Sequence, residues 1–222
     1  VNNRLEIKKT ADGSNTLFLK ELKETYHSFH GAIQESIHVF IQQGLQQFTS
    51  LDEISVFELG FGTGLNALLA SLWSGKNKIK IDYTTIEAFP VPIEICGKMN
   101  YCSFLEKESI HVYNKIINAS WSQTIEISEF FSIHKVHKTI QDWSCNDSFD
   151  VIFYDAFGPR AQPEMWEIPV LEKMFESLNS NGVMVTYCAQ GQFRRNLKSL
   201  GFMVDSLPGP PGKREMTRGT KI

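Results

Sequence analysis

Glu58-Leu59-Gly60-Phe61-Gly62-Thr63-Gly64 sets one acid ahead of three glycines, directly after an apolar run from Ile54 to Leu59. Glycine removes the Cβ that would keep a ligand away from the backbone, so the stretch suits a close approach. A dinucleotide fingerprint reads Gly-x-Gly-x-x-Gly and turns a helix N-terminus toward a pyrophosphate. Here the spacing is Gly-x-Gly-x-Gly, and a carboxylate at Glu58 repels a pyrophosphate while suiting a cationic amine. S-adenosylmethionine carries an ammonium and a sulfonium, which fits that charge. The competing reading is a glycine turn with no ligand, and a second acid downstream decides between them.

Glu87 is that acid. It closes the run Ile79 to Ile86, where a carboxylate accepts from both hydroxyls of a ribose. A third acid, Asp155, follows the buried run Val151 to Phe153 and precedes Phe157-Gly158-Pro159. An acid, an aromatic and a proline beside a methyl donor suit an amine held by hydrogen bonds on a stacked base. Asp155 also fits a turn or helix-capping role. Asp142, in Gln141-Asp142-Trp143, has two equal readings: it accepts from an adenine amino group, or it caps the next turn.

The elements that place these residues follow from periodicity. Residues 1–20 alternate around Ala11-Asp12-Gly13-Ser14-Asn15 and read as a hairpin. Ile33, Ile37, Phe40, Ile41, Leu45 and Phe48 mark one helix, so residues 1–50 form an extension covering the cofactor site. His27, His30 and His38 show no metal-ligand pattern and read as structural. Residues 51–222 form the core, with strands at 54–59, 79–86, 130–140, 151–153 and 183–188. Helices follow the glycine loop (Leu65, Leu68, Leu69, Leu72), open at Pro90 and Pro92, and start at Pro163 with Trp166, Val170, Leu171, Met174, Phe175 and Leu178 inward. Residues 101–125 read as irregular helix, and Asn179-Ser180-Asn181-Gly182 as a turn. Phe202 starts a last hairpin, interrupted at Pro208–Gly212.

Composition sets the bounds. The 222 residues suit one α/β domain with an extension, and a net charge of −3 excludes a generally basic nucleic-acid coat. From Gln190 to Ile222, however, seven basic residues (Arg194, Arg195, Lys198, Lys213, Arg214, Arg218, Lys221) face only Asp205 and Glu215. Such a local excess steers a polyanion to one face, although a solvated charged tail has the same composition. No apolar run approaches the roughly 18 residues of a membrane span. Cys96, Cys102, Cys145 and Cys188 lack paired spacing, which reads as reduced cytoplasmic thiols with no metal.

With these residues in place, the chain resembles the methyltransferase portion of the bacterial tRNA wobble-uridine modification family MnmC, in a stand-alone form lacking the flavin oxidoreductase domain. The resemblance rests on Glu58–Asn66, Tyr154–Pro159, Pro163-Glu164-Met165-Trp166, Arg194-Arg195 and Lys213-Arg214-Glu215-Met216, with Tyr26-His27-Ser28 and Glu35–Phe40 as the entry segment. It implies an α/β, Rossmann-like class I methyltransferase fold with a seven-stranded, mostly parallel sheet. It implies S-adenosyl-L-methionine as donor, held by Glu58, Gly60, Gly62, Thr63, Gly64, Asn66, Glu87, Asp142 and Asp155. The acceptor would be the aminomethyl group of a wobble uridine in a tRNA anticodon loop, with Asp155 catalytic. Phe157 and Pro159 would flank the base, and Arg194, Arg195, Lys213 and Arg214 would meet phosphates. A separate flavin oxidoreductase would supply the intermediate. The family shows Gly-Asp after the fourth strand, where this chain has Lys138-Thr139-Ile140-Gln141-Asp142. Two other functions share the cofactor residues: methylation of another RNA or a small amine, and a non-catalytic S-adenosylmethionine-binding module.

Overall fold

The computed structural model describes residues 4–144 and 148–222; Cys145 lies outside the described residues. The N-terminal alternation forms the hairpin β1 (Leu5–Lys9) and β2 (Asn15–Leu19), with the two-residue β3 (Glu24–Thr25) beside β2. Asp12 closes the hairpin turn by accepting from Thr10 Oγ1 at 2.8 Å and Ser14 N at 2.9 Å. The helix expected next is three pieces: α1 (Ala32–Ser36), a π-helical stretch Ile37–Gln42 and a 3-10 turn Leu45–Phe48. Val39, Phe40 and Ile41 are consecutive and all buried, which one face of a regular α-helix does not provide.

The core begins with β4 (Glu53–Leu59), whose apolar run is covered on both faces. There follow α2 (Leu65–Asn77), β5 (Lys80–Ile86), the short α3 (Ile93–Cys96), a 3-10 turn Tyr101–Phe104 and α4 (Ser109–Asn118). Next come β6 (Thr124–Ser128), β7 (Phe131–Val136), β8 (Phe149–Tyr154), a 3-10 turn Pro163–Trp166, α5 (Ile168–Glu176), β9 (Leu178–Thr186), α6 (Gly191–Ser199), β10 (Phe202–Pro208) and β11 (Glu215–Lys221). They build an eight-stranded sheet in the order β10-β11-β9-β8-β4-β5-β7-β6. α2 and α4, with the N-terminal elements, contribute to one apolar cluster, and α5 and α6 to a second.

The class I expectation holds, with local corrections. The sheet has eight strands where seven were expected. The extra one, β6, pairs antiparallel with β7 at the edge of the sheet, and its first two residues, Thr124 and Ile125, fall at the end of the stretch read as irregular helix. Its pattern is too exposed to mark a strand from sequence, since only Ile127 is buried. The turn expected at Asn179–Gly182 lies inside β9. There Asn181 adopts φ 65° and the register against β8 slips, so the turn-forming residues make a bulge. The strand at 130–140 ends at Val136. The helix expected from Pro163 is a 3-10 turn followed by α5, with Pro169 in its first turn, and Leu178 begins β9 instead of ending that helix.

Candidate active site

β4 lies between β5 and β8, parallel to both, so the chain changes direction across the sheet at this point. Crossovers that diverge from a central strand open a crevice at its carboxyl end. A cavity of about 990 Å³ occupies that crevice. Sites for small molecules span about 300–1,000 Å³. One wall is Gly60, Phe61, Gly62, Thr63 and Asn66, with Glu87 and Lys138–Gln141 alongside; the rest of the lining includes Glu35, Phe157, Tyr187, Lys213 and Tyr26, whose ring reaches across to the glycine loop, where a Cβ on Gly62 would meet it at 3.2 Å. Asp155 lines the cavity as well.

The glycine loop is stitched between two strand ends. Gly60 N donates to Ile86 O at 3.0 Å, and Asp155 N donates to Leu59 O at 3.1 Å. Gly60 has φ 96°, and a Cβ there would stand 2.7 Å from Asp155 O, so only glycine fits. Gly64 does not line the cavity. It starts α2 with φ 78°, and a Cβ would press on the Phe61 ring at 3.0 Å, so its glycine serves the turn and its packing. Glu87 is fixed in place: Oε2 accepts from Gly62 N at 3.1 Å and Oε1 from Phe89 N at 2.9 Å. Thr63 lines the cavity while its hydroxyl is bonded to Tyr101 at 2.8 Å.

Glu58 departs from the sequence expectation of an acid meeting a cationic amine. It is fully buried beneath the loop, away from the cavity wall. Thr85 donates to its Oε2 at 2.7 Å, while Oε1 has no partner. Burial pushes its carboxyl up to about 8. A group that is mostly neutral at pH 7 offers no ion pair, and its influence reaches the cavity through its neighbours.

Asp155 stands at the end of β8, where Asn66 Nδ2 donates to its Oδ2 at 2.8 Å. Burial, reinforced by the negative charge of Glu35, raises its carboxyl to about 7; the Asn66 hydrogen bond and the charge of Lys213 act the other way. Asn66 Oδ1 is buried without a partner. Glu35, which carried no role in the sequence reading, accepts from Ser28 N at 2.9 Å and from Lys213 Nζ at 2.6 Å. Lys213 Nζ also lies 3.8 Å from the Tyr187 ring centroid, and the Tyr187 hydroxyl donates to Ala156 O at 2.8 Å. The Tyr26 and Phe157 rings meet edge-on at 5.0 Å. Two signals pointed to the missed residues. Tyr187 follows a strand on the same sheet edge as Glu87 and Asp155, and Glu35 is a charge on the buried side of an apolar helix.

The remaining expected site residues are placed differently. Asp142 is exposed and off the cavity wall; it accepts from Thr139 Oγ1 at 2.6 Å, a turn-capping bond, while Lys138–Gln141 line the cavity. Pro159 and Arg214 line a neighbouring cleft that shares Tyr187 and Lys213 with the cavity. Arg194 is committed to β11, donating to Thr217 Oγ1 at 2.9 Å, Glu215 at 2.8 Å and Met216 O at 3.0 Å. Arg218 pairs with Asp205 at 3.1 Å, and Lys221 donates to Leu178 O at 2.7 Å. The basic excess is therefore largely internal, leaving Arg195, Lys198 and Arg214 exposed. His27 is buried against Thr16, and His38 Nε2 meets Pro208 O at 2.8 Å, both structural contacts. Among the described residues, no group of three or more His, Cys, Asp or Glu is placed to hold a metal ion, and no helix is long and apolar enough to cross a membrane.

Comparison with known proteins bears on this geometry. Residues 113–222 match the family described as S-adenosyl-L-methionine-dependent methyltransferase. The tRNA 5-methylaminomethyl-2-thiouridine biosynthesis bifunctional protein MnmC of Campylobacter hominis is 27% identical over 209 residues, covering 91% of this chain and 31% of that protein. Its counterpart in Leptospira interrogans is 26% identical over 215 residues, covering 90% and 33%. The chain thus spans about a third of the length of these curated relatives. The crystal structure of MnmC2 from Aquifex aeolicus superposes with a TM-score of 0.80 at 28% identity, over 97% of this chain and 70% of that one. The likeness to the methyltransferase part of MnmC therefore extends over nearly the whole chain.

Proposed function

We propose, from the match to the S-adenosyl-L-methionine-dependent methyltransferase family and the likeness to MnmC, that the chain N-methylates 5-aminomethyl-(2-thio)uridine at the tRNA wobble position, giving 5-methylaminomethyl-(2-thio)uridine. The observation that carries this reading is Asp155. It is a carboxyl raised to about 7, lining the same cavity as the glycine loop, Tyr26 and Phe157. That is a place for an amine attached to a flat ring. The names of the relatives, which concern methylaminomethyl-2-thiouridine in tRNA, supply the substrate.

The cavity fits the cofactor through its volume of about 990 Å³, the oriented acid Glu87 and the orphaned Asn66 Oδ1. When bound, S-adenosylmethionine supplies an electrophilic methyl group on a sulfonium. Glu87 would hold the ribose hydroxyls, and Gly60, Gly62 and Thr63, which line the cavity, would hold the ligand alongside it. The Lys138–Gln141 segment, which lines the cavity where Asp142 does not, would hold the adenine. Asp155, held by Asn66, accepts a hydrogen bond from the acceptor amine and takes the proton that must leave before nitrogen can attack. With that methyl group supplied, this chain's part in the transfer would be mainly to position the amine.

Phe157 flanks the uracil, which must be flipped out of the anticodon loop to reach the cavity. Arg214, with Pro159 beside it, meets the adjoining phosphates, Arg195 and Lys198 extend that face, and Arg194 acts only by holding β11. The aminomethyl group itself comes from a separate activity, such as a flavin oxidoreductase. The internal pairing of most C-terminal cations favours a second reading, a small-amine acceptor. Nucleoside mass spectrometry on tRNA from a strain lacking this protein, before and after incubation with it and S-adenosylmethionine, separates the two. One added methyl on aminomethyluridine is the expected result. No gain in tRNA, with methylation of the free nucleoside or another amine, overturns the tRNA assignment.

A further inference from the structure

Lys213 belongs to the basic excess that the sequence assigns to phosphates, yet its ammonium points into the cavity. It meets the Glu35 carboxylate at 2.6 Å and lies 3.8 Å from the centroid of the Tyr187 ring. A carboxylate and an aromatic face are the two groups that recognise an alkylammonium. Both stand in place without the lysine: Ser28 N holds the other Glu35 oxygen, and Ala156 O holds the Tyr187 hydroxyl. Asp155 and Asn66 line the same cavity. The arrangement is a preformed site for a primary amine beside the reacting position, filled by a primary amine of the chain itself.

We propose that Lys213 is a stand-in for the acceptor: its ammonium keeps the Glu35–Tyr187 seat until the substrate's own ammonium displaces it. The displaced side chain has somewhere to go. Lys213 also borders the neighbouring cleft with Pro159 and Arg214, where an RNA phosphate approaching the base would meet it. One residue then links two events, because a phosphate that draws Lys213 outward empties the seat for the amine attached to the same nucleotide. A free amine without a phosphate has to compete with the lysine unaided, so the exchange favours amines carried on a polyanion. This rests on the amine-acceptor reading above and adds how that acceptor is selected.

The experiment uses the S-adenosylhomocysteine-loaded protein with benzylammonium, a ring-bearing primary amine that carries no phosphate, titrated by calorimetry. Lys213→Met should bind it about tenfold more tightly, the factor expected if the lysine holds the seat about nine-tenths of the time. Glu35→Gln should weaken binding at least about tenfold through loss of the charge-assisted contact. Equal or weaker binding by Lys213→Met overturns the proposal and makes the ion pair a simple clasp between the two ends of the chain. A measurement on the unaltered protein guards against a variant that fails to fold. Saturation with benzyltrimethylammonium, which cannot be acylated, should raise the rate of Lys213 acetylation severalfold, and an unchanged rate also overturns it. Neither readout needs tRNA. Absence of tRNA methylation would remove the wobble-uridine reading while the titration still decides the seat.

Discussion

The glycine-loop wall of the cavity and the rest of its lining differ in how far along the chain their residues lie. The first is made of near neighbours: Gly60, Gly62, Thr63 and Asn66 lie within a few positions, and Glu87 joins them through the next parallel strand. The second joins Tyr26 and Glu35 from the N-terminal segment to Tyr187 and Lys213, and its central ion pair spans 178 positions. The first wall is set by loop geometry that any parallel sheet of this order provides, so it suits a ligand common to many proteins. The second requires two remote segments to dock, so the acceptor can change without rebuilding the cofactor side. Asp155 sits on the seam, its backbone tied to Leu59 and its carboxyl influenced by Glu35.

The largest effect should come from that seam. Asp155→Asn keeps the shape but removes the proton acceptor, and should lower kcat about a hundredfold or more, with cofactor affinity within about threefold. The rise of kcat/KM through pH about 7 should vanish with it, because only the ionised carboxyl accepts a proton from an ammonium. An equal loss of cofactor affinity, seen by calorimetry, would move Asp155 wholly onto the cofactor wall and break the comparison. A smaller effect is expected from Glu87→Ala. Losing the carboxylate that would hold the ribose should raise the KM for S-adenosylmethionine about ten- to a hundredfold. The KM for the acceptor should stay near its original value. A matching rise in both constants would mean that the two walls act as one.

The same division governs what could be read beforehand. The glycine loop, Glu87 and Asp155 were legible because each follows a run of buried strand residues, and the sheet then places them on one edge. Glu35 paired with Lys213 was not legible, since no local pattern couples a charge at the start of the chain to one near its end. Lys213 was singled out for its charge, but charge alone does not tell a cation reaching for phosphate from one turned inward. Asp142 shows the limit of position within a motif: the segment Lys138–Gln141 borders the cavity, while the acid itself turns back to Thr139. β6 escaped notice because a short edge strand with one buried residue carries hardly any apolar alternation.

Glu58 is the residue whose type was legible and whose place was not, and its effect should be the smallest. The motif supplies an acid before the glycines, but neighbouring side chains of a strand point to opposite faces, and this one points away from the cavity. The native carboxyl holds its proton up to about 8, against 4.5 for the ordinary group, so the unfolded chain binds fewer protons between those values. Stability must therefore fall as pH rises through that window. Asp155, raised to about 7 from 3.8, contributes the same sign but is already half ionised at pH 7, and Lys135, which burial lowers to about 8 from 10.5, contributes the opposite sign. From pH 7 to 8 these two oppose each other, and the slope belongs mainly to Glu58. Glu58→Gln should remove about 1 kcal/mol of stability loss over that interval in urea unfolding. The KM for S-adenosylmethionine should not change, because the side chain reaches no ligand. An unaltered pH slope with a raised KM would place Glu58 against the cofactor after all. The first wall would then include the strand beneath its loop, and its contrast with the second would rest on the N-terminal segment alone.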